Sequence, residues 1–440
     1  MSVPLLDGSP YQGYQYAYPH KTAYRALTPP VGLADLWAEE DRSALFLYIH
    51  IPFCEMRCGF CNLLSVTGAA ELAGPYIEAL ERQAMAVSGC LGDFRFARFA
   101  LGGGTPTSLG ASQLDRVLAL AKSLGADPAA IPTSVEVSPA SADPERLAVL
   151  KGYGVDRVSI GVESFFEEET KALGRPQRRL EAERALDAIR AAGFPTLNID
   201  LIYGTEGQSP AAFLKSVEAA LAWEPEELYL YPLYVRPMTG LGKRGSPAFD
   251  AAGWDMQRLG CYRAARERLL AGGYAQLSMR MFRRLGEKEW GPVYRCQEDG
   301  MIGLGAGARS YTQRLHYSTQ YAVSRADILG ILNGYVERSE TQFTRADYGI
   351  SLSGEERRRR FILMSLLNAQ GLSLSRYEAR YGASAFVHLP RLRELERLGL
   401  ALIVTGGMRL TEAGLERSDA IGPWLQSAAI RQRMEDYEWR

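Results

Sequence analysis

The stretch Tyr48-Ile-His-Ile-Pro-Phe-Cys54-Glu-Met-Arg-Cys58-Gly-Phe-Cys61 decides how the rest of the chain is read. Its three cysteines stand at C-x3-C-x2-C spacing, close enough to share one loop behind a short β-rich run. Soft thiolates at that spacing suit an iron–sulfur centre gripped from one side. No fourth cysteine follows within the next few residues, so a four-iron cluster held here keeps one iron without a protein ligand. An open coordination position is where an outside molecule binds and reacts. Two other readings stay open on spacing alone: a zinc site completed by a distant ligand, and a cluster that only carries electrons.

Downstream, short β-rich runs alternate with helical segments. Strands are expected over 46–51, 96–101, 134–137, 157–162, 197–202 and 228–234. The stretches between them carry apolar stripes at helical spacing, such as Leu114, Val117, Leu118, Ala121 and Leu124, or Ala182, Ala185, Leu186 and Ile189. Such alternation predicts an α/β fold with a parallel sheet and helices outside it. Six units counted from the cysteine loop suit a partial (β/α)6 TIM-like barrel better than an open doubly wound sheet. The reactive residues then fall at the carboxyl ends of the strands, where barrel enzymes build their sites. The cysteines follow the first strand and Gly102-Gly-Gly-Thr-Pro-Thr107 the second; Glu136 ends the third, Glu163 the fourth, and Asp200 lies in the fifth.

The flanks differ. Residues 1–45 are rich in tyrosine and proline (Tyr11, Tyr14, Tyr16, Tyr18, Tyr24, Pro29, Pro30), which predicts an N-terminal arm. The barrel is expected over 46–290, a connecting β/α segment over 291–353 and a C-terminal helical domain over 354–440. There, helices near 361–367 and 385–398 precede a hairpin turning at Gly406-Gly407, a winged-helix-like arrangement read as a packing or lid domain. The run Arg357 to Arg360 after Glu355-Glu356 reads as a solvated, charge-balanced helix end. With 440 residues, 47% hydrophobic and 23% charged, the chain has ample length for a large core. A net charge of -1 supplies no basic field for nucleic acid or a membrane surface. Neither a bilayer-spanning apolar run nor a secretory pattern is found, so a cytoplasmic protein is expected. Cys90, Cys261 and Cys296 are scattered and read as idle thiols.

The motifs also occur together, in order. Besides the cysteine stretch and the glycine-rich turn, they are Glu136-Val-Ser-Pro139, Ser159-Ile-Gly-Val-Glu163-Ser164, Asn198-Ile-Asp200-Leu-Ile-Tyr-Gly204 and Gly303-Leu-Gly-Ala-Gly-Ala-Arg309-Ser310. The chain resembles the radical S-adenosylmethionine (SAM) enzymes, in the branch of anaerobic coproporphyrinogen III oxidase and its relatives. The likeness covers nearly the whole length, including the C-terminal module and Tyr18-Pro19 of the arm. It implies a [4Fe–4S] cluster on Cys54, Cys58 and Cys61, and at least one SAM chelating the open iron. It further implies one-electron cleavage of SAM to methionine and a 5′-deoxyadenosyl radical, with the cofactors carrying the hard chemistry. An electron donor such as flavodoxin or ferredoxin, a small-molecule substrate and a monomer are implied with it. By the family's motifs, Tyr48, Phe60, Gly103, Gly104, Thr105, Glu136, Glu163, Arg175 and Asp200 are SAM-binding candidates. Phe60 reads equally well as core filling, and His50 either as a hydrogen-bonding group near the cluster or as a structural histidine.

Phe60, Gly104, Thr105, Arg175 and Asp200 match a second SAM site of the oxidase, but three neighbours depart from it. Glu163 replaces a glutamine, Tyr234 a small residue and Arg309 an aliphatic one, so Tyr234 and Arg309 are second-site or substrate candidates. A buried Glu163 needs a partner, which Arg175 or Arg309 could supply. The oxidase's extra cysteine is also missing, since Cys61 is followed by Asn62-Leu63-Leu64. That puts coproporphyrinogen in doubt as the substrate. Haem-chaperone relatives lack that cysteine too, yet carry a His-Asn-x-x-Tyr-Trp sequence where this chain reads Gly291-Pro-Val-Tyr-Arg-Cys296-Gln-Glu-Asp-Gly300. The expectation is therefore a radical SAM enzyme that abstracts hydrogen from an organic substrate, ending in propionate decarboxylation or in methyl transfer. The alternative is a non-catalytic haem-binding chaperone.

Overall fold

The computed structural model describes residues 4–245, 250–286 and 296–440. Six strands run parallel and in chain order: β2 (Leu45–Ile51), β3 (Phe96–Gly103), β4 (Thr133–Val137), β5 (Arg157–Glu163), β6 (Thr196–Tyr203) and β7 (Glu227–Pro232). These are the six expected strands, within two residues at every end. Each crossover is helical, as βα units require. Helix Ala111–Ser123 buries Leu114, Val117, Leu118 and Ala121 against the sheet, and Arg179–Ala192 buries Ala182, Ala185, Leu186 and Ile189. Helix Pro144–Tyr153 shows the local signals plainly: Asp143 caps the Arg146 amide, Pro144 occupies the first turn, and Gly154 leaves it left-handed at φ 84°.

The barrel does not close. Beyond β7 the sheet continues antiparallel through β9 (Met281–Arg284) and β8 (Tyr274–Gln276). On the other side β10 (Met301–Leu304) runs parallel to β2, followed by β11 (Arg309–Tyr311), β12 (Leu315–Ser318) and β13 (Arg345–Ser351). The arm supplies the outermost strand, β1 (Arg25–Gly32), paired to β13. Its register shifts between Ala26 and Val31, around Pro29 and Pro30, which an edge strand tolerates. The expected division between 290 and 291 lies outside the described residues.

The C-terminal module has the winged-helix-like form, with three short strands in the order β14 (Leu372–Ser373), β16 (Gly407–Leu410), β15 (Ala401–Val404). The single helix expected near 385–398 is split into Ala385–His388 and Leu392–Arg397 around Pro390, which cannot continue a helix. The arm shares this module's core: Leu5, Tyr18 and Tyr24 are buried with Phe361, Leu392 and Ile421.

The charged run at the start of helix Gly354–Leu366 is not solvated as expected. Glu356 is buried and accepts hydrogen bonds from Tyr18 and from Ser427 at 2.7 Å. Arg360 is wholly buried, donating to Glu298 at 3.0 Å, the Thr312 carbonyl at 3.1 Å and His316 Nε2 at 2.9 Å. Residues four apart share one helix face, and this face is turned inward between arm and sheet.

Candidate active site

At the carboxyl ends of β2 to β7 a cavity of about 1040 Å³ opens, lined by Cys54, Cys58 and Cys61 together with Gly103, Gly104, Thr105, Glu136, Glu163, Arg175 and Asp200. The cysteine loop leaves β2 and is tied back to it. The Cys54 amide donates to the Val66 carbonyl at 3.0 Å, and Val66 donates to Pro52 at 2.7 Å. His50 Nε2 lies 2.9 Å from the Leu64 carbonyl, which can only accept, so Nε2 carries the proton. Burial lowers the His50 pKa to about 4, leaving a neutral ring whose Nδ1 accepts from Tyr48 Oη at 3.2 Å. His50 is thus a brace between strand and loop.

Each thiol has its own polar neighbour. Arg175 Nη1 donates to Cys58 Sγ at 3.1 Å, Thr105 Oγ1 to Cys54 Sγ at 3.7 Å, and Ser65 Oγ lies 3.7 Å from Cys61 Sγ. Among the described residues no three His, Cys, Asp or Glu side chains come together tightly enough for a single metal ion. The three cysteines border one concavity. Glycines keep that concavity open: a Cβ on Gly104 would lie 2.5 Å from the Phe53 carbonyl oxygen and 2.8 Å from Cys54 Sγ. Burial pushes the Cys54 and Cys58 thiols up to about 12 and about 11, so ligation here releases protons. The donor set and the space fit an iron–sulfur cluster.

Three carboxyl groups face the same space. Glu136 accepts from the Gly103 amide at 3.0 Å, and Gly103 adopts φ 120° to present it. A Cβ on Gly102 would lie 2.9 Å from that carboxyl group. Asp200 is held by Asn198 Nδ2 at 2.7 Å and by Ser159. Glu163 has φ 64° where β5 bulges against β6, an uncommon conformation for a residue with a side chain. Its carboxylate pairs with Arg175 at 3.4 Å, and both side chains are about nine-tenths buried. Arg175, not Arg309, is therefore its partner. Burial pushes Glu163 up to about 7 and Asp200 to about 6, partly offset by Arg175 and Asn198 respectively. Glu136, also pushed up to about 7 by the enclosing barrel, is reached by water from the cavity, which moderates the effect.

Two candidates stand elsewhere. Tyr48 is not part of the cavity wall; it lies near Glu136, and its hydroxyl donates to His50 Nδ1 at 3.2 Å. Arg309 stands back from it, stacked over the Tyr16 ring at 4.7 Å, because β11 sits beyond β10 on the far side of β2. Phe60 lines the cavity and also packs with Leu173, Ile202 and Leu233. Tyr234 lines the cavity and donates to Asp419. Sequence reasoning missed the outer wall, made by Tyr14, Tyr16 and His20 of the arm and Trp424, Arg431 and Trp439 of the C-terminal segment. The tyrosine-rich arm was visible, but no periodicity shows that it folds over a barrel mouth.

Comparison with known proteins places this geometry in a class. Residues 48–220 match the radical SAM superfamily and residues 352–416 the HemN C-terminal domain. The chain is 26% identical over 385 residues to heme chaperone HemW of Bacillus subtilis, covering 86% of this chain and 98% of that protein. It is 28% identical over 394 residues to the oxygen-independent coproporphyrinogen III oxidase of Pseudomonas aeruginosa (84% and 83% covered). The oxidase of Paracoccus denitrificans is 34% identical over 296 residues, or 66% and 63% of the two chains. The solved structure of coproporphyrinogen III oxidase (HemN) from Escherichia coli shares the fold, with TM-score 0.77, 23% identity and 97% of each chain covered. The class is that of radical SAM proteins, whose cofactors are a [4Fe–4S] cluster and SAM. The chain thus carries a radical SAM domain and a HemN C-terminal domain, and the proteins it resembles include both oxygen-independent coproporphyrinogen III oxidases and HemW chaperones. Among the described residues no helix is long and apolar enough to cross a membrane.

Proposed function

We propose that this protein is a radical SAM enzyme in which Cys54, Cys58 and Cys61 hold the cluster and the adjoining cavity holds SAM with an organic substrate. One observation carries the reading: the three thiols, the Gly103–Gly104 turn and the carboxyl groups of Glu136, Glu163 and Asp200 border a single cavity of about 1040 Å³. That is at the upper end for one small-molecule site. A cluster held there would supply the single electron for reductive cleavage of SAM, the source of a hydrogen-abstracting radical.

The chain's own residues then have definite tasks. Glu136, braced on Gly103, accepts hydrogen bonds from the SAM amino end. Asp200, oriented by Asn198, suits ribose hydroxyls. Arg175 offers its charge to carboxylate groups. Tyr14, Tyr16, Trp424 and Trp439 wall off water at the outer end, while Arg236 and Arg431 there suit an acidic substrate. Glu163 in place of glutamine gives this pocket a charge that the oxidase's second SAM site lacks. We favour methyl transfer from a second SAM over propionate decarboxylation on that account. A flavodoxin- or ferredoxin-like donor and a monomeric, cytoplasmic protein belong to the same reading.

The chaperone reading draws on the HemW relatives and on His20, whose imidazole lines the cavity. Anaerobically reconstituted protein incubated with reductant and SAM, with and without haemin, separates the two. Substrate-dependent 5′-deoxyadenosine supports the enzyme, and S-adenosylhomocysteine alongside it marks methyl transfer. Stoichiometric haemin binding with hand-over to an acceptor, and no deoxyadenosine, overturns the proposal.

A further inference from the structure

Arg175 joins the cysteine loop to the carboxyl-lined wall. Its Nη1 is shared, donating to Cys58 Sγ at 3.1 Å while lying 3.4 Å from Glu163 Oε1. The rest of the guanidinium is locked: Nη2 donates to the Gly161 carbonyl at 2.7 Å and Nε to Gln177 Oε1 at 3.2 Å. The main chain repeats the connection independently. The Gly59 amide, between Cys58 and Phe60, donates to the Leu173 carbonyl at 3.0 Å, and Leu241 donates to Gly59 at 2.7 Å. Glycines make this approach possible, since a Cβ on Gly174 would lie 2.9 Å from the Gly59 Cα. A Cβ on Gly161 would lie 2.8 Å from Glu163 Oε1, so that glycine leaves room for the ion pair. The left-handed backbone of Glu163 aims the carboxylate at the same guanidinium.

We propose that Arg175 is a positioning residue that sets the reduction potential of the cluster through Cys58, with Glu163 as its counterweight. A cation donating to a cluster sulfur favours the electron-rich state, and a carboxylate beside that cation opposes it. Anything in the cavity that competes for Arg175, a carboxylate above all, therefore alters how readily the centre accepts its electron. No bond is made or broken; one electron arrives from an external low-potential donor. The inference rests on the proposed ligation by the three cysteines.

The test is an EPR-monitored redox titration of the anaerobically reconstituted full chain at alkaline pH, with iron and sulfide content measured alongside. Arg175→Gln is expected to reduce the ratio of reduced to oxidised cluster about tenfold at the wild-type midpoint, a drop of about 59 mV for one electron. Glu163→Gln is expected to move the midpoint the other way, and Arg175→Lys to lie between wild type and Arg175→Gln. If Arg175→Gln fails to fold or to load, Glu163→Gln decides: an unchanged or lowered midpoint overturns the proposal. Unchanged potentials in both variants, or shifts in the same direction, overturn it as well. A wild-type chain that takes up no four-iron cluster would instead sink the underlying reading of the cysteines.

Discussion

Glu163 is the residue whose chemistry the fold controls most visibly. Burial pushes its carboxyl up to about 7, with Arg175 pulling the other way. An unfolded chain ionises a glutamate near about 4.3, so between that pH and about 7 the folded state binds more protons than the unfolded one. The cluster-free protein should therefore lose stability at this residue as pH rises through that window. Glu163→Gln removes the slope and should raise the melting temperature at pH 8 by about 2 °C, checked by calorimetry against wild type. No such gain, or an unaltered pH profile, would show the carboxyl to be solvated and ordinary. Arg175 pairing was one of two options legible from residue types, but the Glu163 backbone conformation was not, because no sequence signal marks a bulge occupied by glutamate.

At the scale of elements, the Gly102–Gly104 turn decides whether the loop after β2 can hold anything. Gly104→Ala places a methyl group 2.5 Å from the Phe53 carbonyl oxygen and 2.8 Å from Cys54 Sγ. Iron retained after reconstitution and desalting should fall at least about tenfold, while far-ultraviolet circular dichroism stays near wild type, as the clash is confined to one loop. Undiminished iron would mean that the cysteine loop does not close against this turn. The six parallel strands and their helices were legible because period-2 and period-3.6 patterns are local. The glycine turn, Glu136 and Asp200 were legible with them, being fixed to strand ends. The outer wall was not. Tyr14, His20, Trp424 and Trp439 converge only through contacts between the two ends of the chain, and β1 pairs with a strand more than 300 residues away.

For the whole molecule, the buried Arg280–Asp419 pair fastens the C-terminal segment to the sheet beside β9. Tyr14 of the arm stacks on Arg280 at 3.7 Å and Tyr234 donates to Asp419, so arm, barrel and C-terminal segment meet at one point. Asp419→Ala leaves a buried cation without its partner, destabilising by about 3–5 kcal/mol. Limited proteolysis should then cut the C-terminal segment at least tenfold faster, and Arg280→Met/Asp419→Leu should recover much of the lost stability. Equal proteolysis rates would mean that the segment is held elsewhere. The central claim is that three cysteines present a cluster to SAM inside this enclosure. It is tested most directly by electron-nuclear double resonance on the reduced, anaerobically reconstituted chain with nitrogen-labelled SAM. The account predicts about four irons per chain and a hyperfine coupling to the labelled amino group, both lost when Cys54, Cys58 or Cys61 is replaced by alanine. A zinc-only protein, or a cluster whose spectrum is the same with and without SAM, would contradict it.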